Sequence, residues 1–204
     1  MTRMMTTPFA AAIFSILFAS MNVFAQDSAR GYFEAAIADA CEGDYSLAAA
    51  EFDSTLKIDP YFASARINLR VLGDYETGNI GREALNLYFM GIASGNRMDM
   101  DGKIRQLTEA IQQDSLFAYA YNERGVTYSQ MEKYPPAVAD YEKVVRLIPD
   151  FIEVYYNLGL AYERMEKLPE AIAAYRKFAQ LAPAYYPDHV QYVKKMIEEL
   201  QKQQ

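Results

Sequence analysis

Residues 118–151 read AYAYNERGVTYSQMEKYPPAVADYEKVVRLIPDF, and residues 152–185 read IEVYYNLGLAYERMEKLPEAIAAYRKFAQLAPAY. Laid over each other, Tyr121 falls on Tyr155, Gly125 on Gly159, Tyr128 on Tyr162, Ala137 on Ala171, Tyr141 on Tyr175 and Pro149 on Pro183. Every pair is 34 residues apart. A period of this length marks an array in which each unit is one helical hairpin that cannot bury its apolar face alone.

Several residues recur for a mechanical reason. Gly125 and Gly159 sit mid-helix, where glycine costs about 0.5–1 kcal/mol relative to alanine. A cost repeated at the same phase implies close approach of the second helix, with Ala137 and Ala171 as the expected contacts. Tyr128 and Tyr162 are expected to fill the space beside them. Pro135, Pro136 and Pro169 open the second helices, where a missing N–H is harmless. Phe62, Phe117, Phe151 and Tyr185 close successive blocks and are expected in the inter-repeat core.

These residues and this spacing resemble the tetratricopeptide repeat family, with tyrosine where that family often has tryptophan. The resemblance implies an all-α fold: an α-α superhelix of helical hairpins, closed here by a C-terminal capping helix. It also implies an exported, bacterial type of repeat protein once the first residues are considered.

Working outward, the same grid fits 29–62, with helices expected over about 28–42 and 45–58 around a Gly43-Asp44 turn. Leu47, Phe52, Leu56 and the alanines between them form the expected apolar stripe. The grid then slips. Residues 84–117 form a degenerate repeat, with Lys103 where alanine is usual and Ser94 where tyrosine is usual. The 21 residues between, Ala63 to Glu83, are expected to hold a helix to about Leu72, then a loop over 77–81. Beyond Tyr185, Pro187 and Asp188 start a final helix, His189 to Gln201, that presents Val190, Val193, Ile197 and Leu200 on one face, as a terminal cap requires. The expected organisation is a leader at 1–25, an N-terminal repeat with an irregular helix and loop at 26–83, three repeats at 84–185 and the cap at 186–204.

The leader expectation rests on Arg3, the apolar run Phe9–Phe18 and the small-x-small exit Val23-Phe24-Ala25 before Gln26. The run is shorter than the ~20 residues that span a bilayer, which favours cleavage over a retained anchor. Gln26, not a cysteine, directly follows the exit, so no lipid anchor is expected. The expected compartment is the periplasm or the exterior, with no stable membrane insertion after cleavage.

The whole chain carries 20 basic and 27 acidic residues, a net charge of −7. Losing Arg3 makes the balance more negative, which argues against nucleic acid and anionic lipid as partners. Cys41 is the only cysteine, expected to be buried or inert, with a partner-accessible thiol as the alternative. His189, the only histidine, has no second ligand for a metal. No phosphate-binding loop, nucleophile elbow or HExxH motif is present, so no catalytic residue, cofactor or metal is assigned.

Function is therefore sought on a second stripe of the first helices, about 100° from the glycines. Its members are Phe33, Ile37, Tyr88, Ile92, Asn122, Val126, Ser129, Tyr156, Leu160 and Glu163. The resemblance implies that these line a concave groove for a peptide or protein partner. A clamp for a C-terminal carboxylate would use Lys, Arg and Asn, and only Asn122 qualifies. The expected function is a non-enzymatic interaction module of the cell envelope with a partly aromatic groove. The alternative is a structural subunit docking through its convex face or cap.

Overall fold

The hairpin turns show how the chain realises its period. The computed structural model describes residues 26–182 and 186–202, and of Pro187 and Asp188 the backbone alone. Left-handed backbone occurs at Gly43, Met98, Glu132 and Glu166, with φ of 89°, 63°, 59° and 58°. The last three are spaced by 34, and Gly43 shares their phase once the 21-residue insert is removed. At each turn an N–H reaches five residues back. Asp44, Asp99, Lys133 and Lys167 donate to the carbonyls of Asp39, Ser94, Tyr128 and Tyr162 at 2.8–3.0 Å. Such bonds satisfy the orphan carbonyls of a helix end. They also tolerate the strain of a non-glycine residue at positive φ.

Among the described residues there are ten helices and no strand. They are α1 (26–42), α2 (Tyr45–Ile58), α3 (Ala63–Glu76), α4 (Arg82–Asn96) and α5 (Met100–Gln113). Then follow α6 (Ala118–Gln130), α7 (Tyr134–Leu147), α8 (Ile152–Arg164), α9 (Leu168–Leu181) and α10 (Pro187–Gln201). The pairs α4–α5, α6–α7 and α8–α9 pack as hairpins, and α5–α6 and α7–α8 join one hairpin to the next. α10 packs on α9, burying Val190, Val193, Ile197 and Leu200. The architecture is the expected all-α superhelix with a terminal cap. No helix among the described residues is long and apolar enough to cross a membrane.

The insert explains the slip in the grid. An Asp–x–x–Phe turn ends α2 as it ends α5, with Phe62 and Phe117 donating to the carbonyls of Asp59 and Asp114, both at 3.1 Å. α3 thus starts as a first helix of a repeat would, but α4 follows it instead of a partner helix. Tyr45 of α2 reaches α4 directly, its hydroxyl donating to Asn86 at 2.5 Å and its ring 6.4 Å from that of Phe89. The first hairpin therefore meets the second across the insert. α3 lies over the inward faces of the later first helices. Tyr88 of α4 donates to Asn68 at 3.0 Å, Tyr119 of α6 donates to Asp74 at 3.0 Å, and Arg66 donates to Glu153 of α8 at 3.0 Å. Burial of Ile67, Val71 and Leu72 stabilises this docking by about 1.5–3 kcal/mol per side chain.

Four local expectations are corrected. α3 runs to Glu76 rather than Leu72, because the Tyr75 ring packs edge-on against Tyr45 at 5.0 Å and Thr77 Oγ1 closes the last turn on the Gly73 carbonyl. Leu47 is exposed, while Ala48, Phe52 and Thr55 form the buried face of α2. A Cβ on Gly159 would meet the Tyr175 ring at 2.5 Å, and one on Gly125 the Tyr141 ring at 2.8 Å. The glycines therefore make room for tyrosines, with the Ala137 backbone oxygen a further 3.3 Å contact at Gly125. Cys41 is exposed rather than buried, and desolvation, the largest influence on it, raises its thiol pKa.

The leader, its exit at 23–25, and Pro183 and Tyr185 lie outside the described residues. Phe117 and Phe151 are buried in the core as expected, and Phe62 is half-buried against Phe33.

Candidate functional site

With α3 along the inner surface, the open part of the concave face is its C-terminal end. There a cavity of about 370 Å³ lies between the start of α3, the inward faces of α6 and α8, the end of α9 and the start of α10. Ala63, Ser64 and Ile67 of α3 form one wall. Asn122, Glu123, Val126 and Gln130 of α6 face Tyr156 and Asn157 of α8. Phe178, Tyr186 and His189 close the far side, and Lys103 enters from α5. Its size is at the lower end of the roughly 300–1,000 Å³ common for ligand sites, and its aromatic walls are interleaved with the polar side chains of Ser64, Asn122, Gln130 and Asn157.

Two ion pairs border the chamber. Lys103 Nζ lies 2.8 Å from Glu123 Oε2, with side-chain exposures of only 10% and 14%. The lysine stem passes so close to Gly95 that a Cβ there would meet Lys103 Cδ at 2.7 Å. Arg66 donates to Glu153 and to the Tyr186 hydroxyl, and Tyr186 in turn donates to Glu153 at 2.8 Å. The Arg66 guanidinium also stands 5.1 Å from the centre of the Tyr186 ring. This cluster ties α3 to α8 and to the residue preceding α10, clasping the superhelix across its mouth.

Asn122 is 3% exposed, and its Oδ1 has no hydrogen-bond partner. An unsatisfied buried acceptor costs about 1–3 kcal/mol. Such a group calls for an explanation.

The ten stripe residues separate by position. Asn122, Val126 and Tyr156 line the chamber. Phe33, Ile37, Tyr88 and Ile92 are buried in the core and none of them lines the chamber, though Ile37 borders a separate surface cavity with Cys41 and Arg97. Phe33 packs against Phe52 and Phe62, with centroids 5.6 and 5.0 Å apart, and Tyr88 against Phe89 and Phe117 at 5.3 and 5.2 Å. Ser129 shares a hydrogen bond with the Tyr141 hydroxyl at 3.2 Å, and Glu163 accepts one from Tyr175 at 2.8 Å. Burial, then the Glu163 contact, raise the Tyr175 phenol pKa, which keeps it a donor. Leu160 is half-buried outside the chamber wall.

Sequence reasoning missed Glu123, Glu153, Asn157, Phe178, Tyr186 and the whole α3 wall. A signal existed for Lys103, a charge at the phase occupied by Ala137 and Ala171. Among the described residues, no three His, Cys, Asp or Glu side chains are placed to hold a metal ion.

A sequence profile described as TPR repeat matches residues 127–166, and one described as tetratricopeptide repeat matches residues 152–185. Residues 127–185 are thus similar to tetratricopeptide repeats. Solved structures agree on the fold. The TPR2B domain of yeast Sti1, from a complex with pHsp70, superposes with a TM-score of 0.55 at 16% identity, covering 61% of this chain and 100% of that one. The first TPR of Spaghetti (RPAP3), bound to the HSP90 peptide SRMEEVD, gives 0.53 at 20% identity over 60% of this chain and 96% of that one. The Sgt2 TPR domain of Aspergillus fumigatus gives 0.53 at 22% identity, covering 60% and 84%. No curated protein sequence matched the chain.

Proposed function

We propose that this protein is an interaction module that holds a segment of a partner protein at the C-terminal end of its concave face, beside α3. The observation carrying this reading is the chamber itself: a cavity on the concave face with Tyr156, Phe178 and Tyr186 in its walls, beside the start of α3. Support also comes from the tetratricopeptide repeats of Sti1 and RPAP3, whose structures were solved with pHsp70 and an HSP90 peptide. In this chain, however, Lys103 and Arg66 are both engaged with carboxylates, so an acidic tail is not the favoured ligand. The leader pattern at 1–25 supports placing the module in the cell envelope or outside the cell.

A photo-crosslinking side chain at Gln130, exposed on the chamber rim, tests the reading against the same probe at Ala173, exposed on α9. Capture of a discrete partner through Gln130 and not Ala173 is expected. Capture through Ala173 alone would favour a subunit docked by its outer surface.

A further inference from the structure

In the hairpin of α4 and α5, Ser94 and Gln106 meet across the crossing, and the serine hydroxyl donates to Gln106 Oε1 at 2.9 Å. One 34-residue period plus the 21-residue insert earlier, the same two positions are Asp39 of α1 and Glu51 of α2. Their side chains also meet. Here, however, both partners are carboxyls, and an ionised carboxylate only accepts hydrogen bonds. Glu51 Oε2 is buried with no donor to it. A buried acceptor without a donor costs stability, and one proton on the pair would supply the missing bond.

The charges on the surrounding elements are engaged elsewhere or face solvent. On α1, Arg30 is bonded to Glu34 at 2.8 Å, and Cys41 and Glu42 are exposed. On α2, Asp44 caps the Leu47 N–H, and Asp53 and Lys57 are exposed. On α3, which packs against α2, Arg66 is bonded to Glu153, while Arg70 and Asp74 act on Tyr119. Around α4, Arg82 donates to the Tyr75 hydroxyl and Arg97 to Ser94. Asp39 is thus the charge that bears on Glu51. Desolvation first, then the bond to Asp39 and its charge, raise the Glu51 carboxyl above its ordinary value.

We propose that Asp39 and Glu51 form a proton-operated latch on the first hairpin, closed when the pair holds one proton and loosened when both carboxyls are ionised. On acidification the pair takes up a single proton from solvent. One carboxyl then donates to the other, which gives α1 and α2 the bond that Ser94 gives α4 and α5. At neutral pH the two like charges repel across the crossing. The sign follows from linkage. The folded value of Glu51 lies above the unfolded one, so proton uptake favours the folded hairpin. The added stability appears as the pH falls through the raised value and is complete below the ordinary glutamate range. The latch is independent of the chamber, which lies at the C-terminal end of the concave face.

Amide hydrogen exchange of the whole protein at about pH 4.5 and about pH 7.5, corrected for the intrinsic pH dependence of exchange, tests the latch. Protection in α1 and α2 should be about tenfold higher at the lower pH, the scale of one buried acceptor regaining its donor. α6 to α9 should change little. Glu51→Gln keeps the shape and carries a permanent donor, so it should give the higher protection at both pH values. Asp39→Asn supplies a donor from the other side and should do the same. It should also lower the titration midpoint of the Glu51 carboxyl carbon, followed by NMR, which in the unaltered protein should lie above the ordinary glutamate range. Equal protection at the two pH values, higher protection at neutral pH, or a pH response that persists in both variants would overturn the proposal. So would a Glu51 midpoint within the ordinary range, which would leave the carboxyls uncoupled. An acid response of the same size in α6 to α9 would make the effect global and overturn it too.

Discussion

Gly159→Ala changes one hydrogen to a methyl group and tests the tightest joint in the array. Its new Cβ would stand 2.5 Å from both Cδ1 and Cε1 of Tyr175 and 2.9 Å from Cζ. The ring has little room to yield. It is fully buried, its hydroxyl is held by Glu163 at 2.8 Å, and Tyr156 packs 6.1 Å away, centre to centre. Overpacking of this kind costs roughly 1–3 kcal/mol. Against it stands the gain from replacing glycine in a helix, about 0.5–1 kcal/mol. The net expectation is a loss of about 1 kcal/mol, a fall of roughly 2–4 °C in melting temperature for a chain of this size. Gly31→Ala is the internal control, because Gly31 is exposed inside α1 and a Cβ there meets nothing within 4 Å. It should stabilise by about 0.5–1 kcal/mol. Thermal melts followed by circular dichroism compare the two. Repeat arrays can unfold in parts, so amide exchange across α8 and α9 locates the loss. If Gly159→Ala raises the midpoint as Gly31→Ala does, the pinned ring is not the reason for the glycine.

Other outcomes follow from the chamber. Asn122→Leu removes the orphan acceptor and should raise the midpoint by about 2–4 °C, the equivalent of about 1 kcal/mol; a drop on melting would mean the amide is satisfied. Lys103→Met strands Glu123 and should cost about 2–3 kcal/mol, most of it recovered when Glu123→Gln is added. Additive losses in that double-mutant cycle would show the pair to be uncoupled. Arg66→Gln should speed amide exchange at the starts of α3 and α10 by about tenfold while leaving α6 and α7 protected. Uniform loss of protection would assign Arg66 a global role instead of a clasp.

The hairpins were legible because their determinants are local and repeated. A 34-residue period, prolines at helix starts and glycines at close contacts each act within a few residues or at one fixed phase. The partners of those glycines were not legible, since whether an alanine or a ring fills the crossing depends on rotamers. Tyr141 and Tyr175 were in view as repeat residues, but their rings' direction was not.

The site was legible only where the array is regular. Asn122, Val126 and Tyr156 sit on the inward stripe of α6 and α8 and reach the chamber. The same phase in α1 and α4 leads to the core, because α2, the turn at Phe62 and α3 cover Phe33 and Tyr88. Nothing in the sequence of 63–83 says that its helix folds inward. That placement depends on contacts 20 to 120 residues away, from Asn68 to Tyr88, Asp74 to Tyr119, and Arg66 to Glu153 and Tyr186. Tyr156 also serves two roles that sequence alone does not separate. It faces the chamber, and it packs against Phe178 at 5.5 Å, so Tyr156→Ala loosens the fold as well as the site.

A partner that occupies the chamber must enter beside α3 without dislodging it. Amide hydrogen exchange, compared with and without the partner captured through Gln130, measures this most directly. New protection is expected only in the first turn of α3, the inward faces of α6 and α8 and the start of α10, with the rest of α3 unchanged. Loss of protection throughout α3 would show that helix to be a displaceable occupant, and new protection confined to the exposed faces of α7 and α9 would move the partner off the concave face altogether.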